Sequence, residues 1–184
     1  IGIYTVNIYP DYSPHAYGSK HKKSMGFYDL VVSTKIYHPE GWSRIYGYKN
    51  NCLFVPQGYD PLLHQFDEPP KSSDYDVVLV ATYRKEYGQL MLGLSRLLYG
   101  ESISVAIGGN GWGQVANEFP SHWQFLGGVG GTGYVNLLRS GKICIAPLTT
   151  NVCIHGQVQP GDVDTTRSYE LPAAYCFFIH KKTE

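Results

Sequence analysis

From Tyr75 onward, short apolar runs alternate with segments of helical periodicity, and this alternation constrains the fold more than any other feature of the sequence. The runs that predict strands are Asp76–Ala81, Ile103–Ile107, Trp123–Leu126, Ile143–Ala146 and Cys176–Ile179. The segments that predict helices are Glu86–Tyr99, Thr132–Ser140 and about Thr165–Tyr175. Strands that alternate with helices form a parallel sheet with right-handed crossovers, and ligands bind at the carboxyl ends of its strands. We therefore predict an α/β chain with a Rossmann-like, doubly wound parallel sheet.

A polar connector precedes this alternation. Residues Phe66–Asp74 contain Pro69-Pro70 and Ser72-Ser73, a composition typical of a link between periodic segments. We predict that residues 66–184 form the Rossmann-like domain and that residues 1–65 are part of an N-terminal domain with its link. The predicted elements of that first part are the strands Ile1–Tyr9, Asp29–Thr34 and Cys52–Val55 and a short helix at Pro39–Gly47.

The composition excludes several classes of function. The formal net charge of the 184 residues is zero, so no overall field attracts nucleic acid or an anionic membrane. No apolar run approaches the ~18 residues that span a bilayer, and the N-terminus lacks a charged-then-apolar signal pattern, so a cytoplasmic location is expected. Cys144 and Cys176 lie in strand-like runs and are predicted to be buried thiols. The histidines are scattered, so we predict no protein-bound metal.

The stretch Gly161–Tyr175 combines several groups that bind anions. Asp164 or Thr165 is predicted to cap a helix whose first turn holds Thr166 and Arg167. Free backbone N–H groups and the helix dipole favour a phosphate there. The alternative is an ordinary capped helix with its charges in water. Pro172 predicts that the helix is short or kinked.

Two carboxylates belong to the same stretch, since Asp162 precedes Glu170 by eight positions. Together with the predicted anion site they suggest recognition of a diphosphate and of sugar hydroxyls, as in a nucleotide-sugar site. His155, in the polar stretch before Gly161, either contacts a sugar or is incidental.

Three loops after predicted strands offer further contacts. Thr82, Arg84 and Lys85 open the first helix of the alternating region, where charge-assisted bonds to a phosphate would be worth about 1.5–3 kcal/mol each; a solvated basic pair is the alternative. Gly109 lies in Gly108-Gly-Asn-Gly-Trp-Gly113, which permits close backbone approach to a ligand or simply forms a tight loop. Phe125 and the glycine-rich loop that begins at Gly127 are predicted to contact the nucleotide base.

Several segments, taken in order, resemble the GT-B glycosyltransferases, most closely the group-1 type related to spore maturation proteins. The segments are Asp29-Leu-Val-Val-Ser-Thr34, Phe54-Val-Pro-Gln-Gly-Tyr-Asp-Pro61, Tyr75-Asp-Val-Val-Leu-Val-Ala-Thr82, Gln124-Phe-Leu-Gly127, Tyr134-Val-Asn-Leu-Leu-Arg-Ser140 and Thr166-Arg-Ser-Tyr-Glu-Leu-Pro-Ala-Ala174. The resemblance runs from about Asp29 to the end of the chain and implies a donor-binding GT-B domain that is truncated, next to a partial acceptor domain.

The resemblance also implies a function. In that family an E-x7-E motif contacts the donor sugar and ribose, and here Asp162 and Glu170 match it, with Asp in place of the first Glu. Arg84 and Lys85 match basic residues that offset the diphosphate charge without a metal, and Thr166 and Arg167 add to them. The implied activity is transfer of a sugar from a nucleotide-diphosphate donor to an unknown acceptor, with no cofactor, and with Asp162, Glu170 and Arg84 as catalytic residues. The family leans toward retention at the anomeric carbon.

Two other functions remain open from the sequence. One is a non-catalytic module that binds a nucleotide or sugar phosphate, because fold does not imply function. The other is a structural or interaction domain that uses the tyrosine-rich first 60 residues. In a truncated chain an exposed sheet edge and interdomain surface would also favour a homo-oligomer.

Overall fold

The structure is a computed structural model that describes residues 2–9, 25–40, 52–149, 151–154 and 157–180. The strands are β1 (Val6–Tyr9), β2 (Leu30–Ser33), β3 (Cys52–Phe54), β4 (Tyr75–Val80), β5 (Val105–Gly108), β6 (Gln124–Phe125), β7 (Gly141–Ala146), β8 (Asn151–Ile154), β9 (Gln157–Pro160) and β10 (Phe178–His180). The α-helices are α1 (Pro61–His64), α2 (Lys85–Leu97), α3 (Gly131–Arg139) and α4 (Arg167–Ala173). Short 3-10 helices cover Met25–Phe27, Trp112–Gln114 and Ala116–Glu118.

The chain divides into two compact units. The first contains Ile1–Gly58 and Leu148–Thr165, and the second contains Tyr59–Pro147 and Thr166–Glu184. This division differs from the predicted one at residue 65 in two ways. It falls closer to the end of β3, and it assigns the segment that contains β8 and β9 to the first unit.

The second unit contains a five-stranded, wholly parallel sheet in the order β10-β7-β4-β5-β6. If the five strands are numbered 1 to 5 in chain order, from β4 to β10, their spatial order read from β6 is 3-2-1-4-5. This order is found in doubly wound nucleotide-binding sheets. The observed strands lie within two residues of the predicted bounds. The predicted α/β class and the Rossmann-like parallel sheet are therefore confirmed as a description of the architecture.

Hydrophobic side chains cover both faces of this sheet because its strands are apolar in successive positions. On one face Leu79 and Ile107 pack with Met91 of α2 and with Trp112. The core cluster of the opposite face is formed by Val78, Val80, Ala106, Val135, Leu137, Leu138, Cys144, Ala146, Leu171, Ala174 and Cys176. Burial of each large aliphatic side chain contributes about 1.5–3 kcal/mol, which fixes α3 and α4 on this second face.

Helix α2 buries only part of its apolar face. Tyr87 and Met91 are buried, but Leu90 and Leu97 are 48% and 84% exposed. A helix that lies on a sheet contacts it along a narrow stripe, so the outer members of a wide apolar face remain in solvent.

The first unit contains a three-stranded parallel sheet, β1-β2-β3, and the antiparallel pair β8-β9. The register pairs Val6 with Leu30 and Ile8 with Val32, and Val32 with Leu53, so these residues share one face. Val6, Ile8 and Leu53 are 48%, 70% and 51% exposed.

Some elements were not predicted, and some predictions lie outside the described residues. The pair β8-β9 and helix α1 correspond to no element that was predicted from the sequence. Residues 41–47 of the predicted helix 39–47 and the candidate residue His155 belong to parts of the chain that the structure does not describe. Within the described part of the chain, no helix combines the length and apolar character needed to cross a membrane.

Candidate functional site

The carboxyl ends of β4 and β7 form the point in the second unit where the strand order reverses. The chain proceeds from β4 to β5 and β6 on one side, and then returns to place β7 and β10 on the other. In open parallel sheets the crevice at such a point is the usual ligand site. The residues that surround Val80, the last residue of β4, are therefore the first place to look for a site.

Arg167, the first residue of α4, is fixed at this point. Its Nε donates a hydrogen bond to the backbone oxygen of Val80 at 2.8 Å. The side chain is half-buried, and no second hydrogen bond joins it to any residue within the described ranges. The guanidinium is thus held in one orientation by one donor, and its remaining donors are available for an anion.

Glu170 follows Arg167 by one turn of α4, and two side chains hold its carboxylate. The Tyr134 hydroxyl donates to Oε2 at 2.6 Å, and Nε2 of His64 lies 3.6 Å from Oε1. The side chains of His64 and Glu170 are only 7% and 12% exposed. Burial, followed by the bond to Glu170, raises the pKa of Tyr134 far above its ordinary value, so its hydroxyl remains a donor.

His64 was missed in the sequence, and the fold brings it to Glu170 through helix α1. The Asp60 carboxylate caps this helix by accepting from the Leu62 backbone N–H at 2.9 Å, and Pro61 occupies its first position. The Asp60-Pro61 pair was a readable helix-start signal. Its consequence, a buried imidazole beside Glu170, depends on a tertiary contact that no local pattern contains.

The start of α4 differs from the prediction. Neither Asp164 nor Thr165 is the N-cap: the N-cap residue is Thr166, which has helical dihedral angles and makes no side-chain capping bond. The helix has only seven residues and contains Pro172, as the predicted short helix requires. Because so short a helix has a weak dipole, anion recognition here depends on the Arg167 side chain and much less on the helix end.

Asp162 belongs to the first unit, and its carboxylate is already paired. Its Oδ1 lies 2.9 Å from Nζ of Lys35 and 3.5 Å from the Tyr37 hydroxyl. The backbone N–H of Asp162 also donates to the oxygen of Thr149 at 3.0 Å. The contacts of Asp162 therefore bind its segment to the end of β2 within the first unit.

The loop after β4 places its polar residues at the surface. Thr82, Arg84 and Lys85 are exposed, and Arg84 is the N-cap residue of α2 without a side-chain capping bond. Its guanidinium lies 5.9 Å from the centre of the Tyr87 ring. The predicted basic pair thus stands at a helix start on the carboxyl edge of the sheet, where positive charge is unfavourable without an anion.

The first glycine-rich loop is explained by contacts within the chain. A Cβ on Gly109 would lie 2.0 Å from the Ala81 backbone oxygen, and its φ is +128°. Nε1 of Trp112 donates to the same oxygen at 2.7 Å. Glycine is therefore required here for the loop to pack against the end of β4, and ligand approach is not needed to account for it.

The second loop gives a mixed outcome. Phe125 packs against Phe119, with ring centres 5.5 Å apart, and belongs to the apolar cluster with Trp112. Its side chain is therefore committed mainly to the core. Gly127 is exposed with φ of +66°, and a Cβ at this position would meet nothing within 4 Å. Open space of this kind leaves the backbone accessible, and the predicted contact of this loop with a nucleotide base stays a prediction.

Of the predicted site residues, Arg167 is bound at the carboxyl end of β4, and Glu170, one turn further along α4, contacts His64 and Tyr134. Thr82, Arg84, Lys85, Gly109 and Gly127 follow strands at the same edge of the sheet. Thr165 is half-buried and Thr166 is exposed, at the end of the first unit and the start of the second. No known protein-family model matches the chain, and a search of curated proteins finds no significant relative.

Proposed function

We propose that this chain is the donor-binding part of a GT-B-type glycosyltransferase, which transfers a sugar from a nucleoside-diphosphate sugar to an acceptor. The observation that carries the proposal is the Arg167 side chain, which is bound at the point where the strand order reverses and is followed by Glu170 one turn further along α4. A fixed cation and a buried carboxylate, one helical turn apart, match a diphosphate and the hydroxyls of a ribose.

Each residue has a stated part in this proposal. Arg167, held by Val80, binds the diphosphate and stabilises the negative charge that develops on it as the glycosidic bond to the sugar breaks. Arg84 and Lys85 add positive charge at the same edge of the sheet. Glu170 accepts hydrogen bonds from ribose hydroxyls. Because these groups are positioned before the donor arrives, little reorganisation opposes the transfer step.

A non-catalytic nucleotide-binding module is the second candidate, and the contacts of Asp162 favour it. Oδ1 of Asp162 forms a 2.9 Å ion pair with Lys35 and also contacts the Tyr37 hydroxyl, so the charge of this carboxylate is already compensated within the first unit. Under this second proposal the chain binds the nucleotide but does not break the bond between the donor sugar and the diphosphate.

Calorimetry against UDP, GDP, ADP, TDP and CMP, each with and without Mg²⁺, tests both proposals. We expect one nucleoside diphosphate to bind without magnesium and to raise the melting temperature by mass action. Release of free sugar from the matching nucleotide sugar then separates the enzyme from the module. No binding of any of the five nucleotides would reject both.

A further inference from the structure

We infer that His64 and Tyr134 are positioning residues, which together hold the Glu170 carboxylate in the orientation that accepts ribose hydroxyls. This inference rests on the proposed function, and it assigns the recognition of the ribose to a buried triad that local sequence patterns do not reveal. His64, Tyr134 and Glu170 all belong to the second unit.

The two residues contact different oxygens of the same carboxylate. Tyr134 donates to Oε2 at 2.6 Å, and His64 faces Oε1 at 3.6 Å. The two rings also contact each other edge to face, with centres 6.0 Å apart. A carboxylate that is held on both sides cannot rotate freely, and a fixed carboxylate loses less entropy when it binds a ligand.

The imidazole of His64 is itself held. Its Nδ1 lies 3.2 Å from both the backbone nitrogen and the backbone oxygen of Asp60. When Nδ1 accepts from the Asp60 N–H, the proton is on Nε2, which faces Glu170. Nε2 is buried and has no hydrogen-bond partner among the described residues, and it faces Oε1 of Glu170 at 3.6 Å.

The helices that carry the triad are anchored by the core. Leu171, next to Glu170, is fully buried, and Val135, next to Tyr134, is 1% exposed. The positive charge of Arg167 partly offsets the rise in the pKa of Tyr134, and the Arg167 guanidinium is bound to the backbone oxygen of Val80. The cation assigned to the diphosphate and the carboxylate assigned to the ribose are therefore attached to one rigid part of the second unit.

The test compares the affinity of the nucleoside diphosphate that binds the wild-type chain with that of its 2′,3′-dideoxy form. We expect the wild-type ratio of affinities to be about 10–100, since hydrogen bonds to a charged group are among the stronger ones. Tyr134→Phe and His64→Asn should lower this ratio toward 1 while the affinity for the dideoxy form is retained. His64→Asn keeps a nitrogen near Nδ1 for Asp60 but removes the group that faces Glu170.

Two variants serve as controls. His64→Gln keeps a nitrogen near the position of Nε2 and should preserve the ratio. Tyr75→Phe removes a tyrosine hydroxyl that donates to Gln124 at 2.9 Å in the same unit, and it should leave the ratio unchanged. A purely structural role for His64 or Tyr134 would lower the melting temperature without changing the ratio in the folded protein.

The possible outcomes are distinct. An unchanged ratio in both Tyr134→Phe and His64→Asn overturns the inference and leaves the proposed function intact. A change in only one of them overturns the paired arrangement. If His64→Asn does not fold, Tyr134→Phe alone decides, because an unchanged ratio in it already removes one half of the pair. A wild-type chain that binds no nucleoside diphosphate rejects the proposed function itself.

Discussion

The amine of Lys35 lies 2.9 Å from Oδ1 of Asp162, and both side chains are 8% exposed. Lys35 follows β2, whereas Asp162 follows β9, so this ion pair joins the two separate chain segments of the first unit. Ser33 reinforces the same corner, since its hydroxyl accepts from the Lys35 backbone N–H at 3.0 Å and contacts Nδ1 of buried His38 at 2.6 Å. The main role expected for Asp162 is therefore to stabilise the first unit.

Removal of one member of this pair should be costly. A buried charge without its partner typically costs 3–5 kcal/mol, so we expect Lys35→Met to lower the free energy of unfolding by about that amount. The double variant Lys35→Met with Asp162→Leu should recover much of the loss, because neither charge is then buried alone. Urea unfolding followed by circular dichroism measures both values.

The matched control is Lys71→Met. Lys71 and Glu68 lie 3.6 Å apart, but their side chains are 84% and 67% exposed. An exposed pair contributes about 0–1 kcal/mol, so this variant should unfold almost as the wild type does. Equal effects of Lys35→Met and Lys71→Met would contradict the structural role of the buried pair.

Gly109 should not tolerate a side chain. The added methyl group of Gly109→Ala would collide with the Ala81 backbone oxygen, and the φ of +128° is unfavourable for any residue with a Cβ. We expect a loss of about 2–4 kcal/mol in the free energy of unfolding. Gly93→Ala, within α2 and with nothing within 4 Å of its Cβ position, should instead add about 0.5–1 kcal/mol. Thermal unfolding of the two variants should thus shift in opposite directions.

The sequence predicted the five-stranded sheet well because its signal is local. Runs such as Val77–Ala81 are continuously apolar, since a parallel strand covered on both faces needs hydrophobic residues at successive positions. The pair β8-β9 escaped prediction because Asn151-Val-Cys-Ile154 and Gln157-Val-Gln-Pro160 are short and partly polar.

The candidate site was predictable only in part. Arg167 and Glu170 belong to one helix, and their spacing of one turn can be read directly from the chain. The contacts of Glu170 with His64, and of Asp162 with Lys35, join residues that are far apart in the sequence. Such pairs depend on how the elements pack, which periodicity does not specify.

Asp76 should make the second unit sensitive to acid. The bond from Lys142, followed by bonds from the backbone and side chain of Ser104, holds the pKa of Asp76 well below its ordinary value. Because the folded-state pKa is the lower one, the stabilisation is complete above about pH 4 and is lost as the pH falls through the folded-state value.

We therefore expect the free energy of unfolding to decrease between pH 5 and pH 2, and the decrease to be smaller in Asp76→Asn than in the wild type. The exposed Asp74→Asn serves as the control and should follow the wild-type curve. Urea unfolding at a series of pH values gives the comparison. Identical slopes for the wild type and Asp76→Asn would show that Asp76 does not contribute to the acid sensitivity.

Arg167 should dominate nucleotide binding over Arg84. The guanidinium of Arg167 is held by the Val80 oxygen at the point of strand reversal, whereas Arg84 is exposed and lies over the Tyr87 ring. A preorganised charged donor typically contributes about 1.5–3 kcal/mol, which is about a 10- to 150-fold change in affinity. We expect Arg167→Met to weaken binding of the nucleoside diphosphate by that factor in calorimetry, and Arg84→Met to weaken it less.

Arg167→Lys distinguishes charge from geometry at this position. Lysine keeps the charge but lacks the planar group that can bind Val80 and an anion together, so it should restore only a small part of the affinity. Arg96→Met removes an exposed arginine from the last turn of α2 and should have no effect on binding. If Arg96→Met weakens binding as strongly as Arg167→Met does, the attraction is a general effect of positive charge. The assignment of Arg167 to the diphosphate would then be wrong.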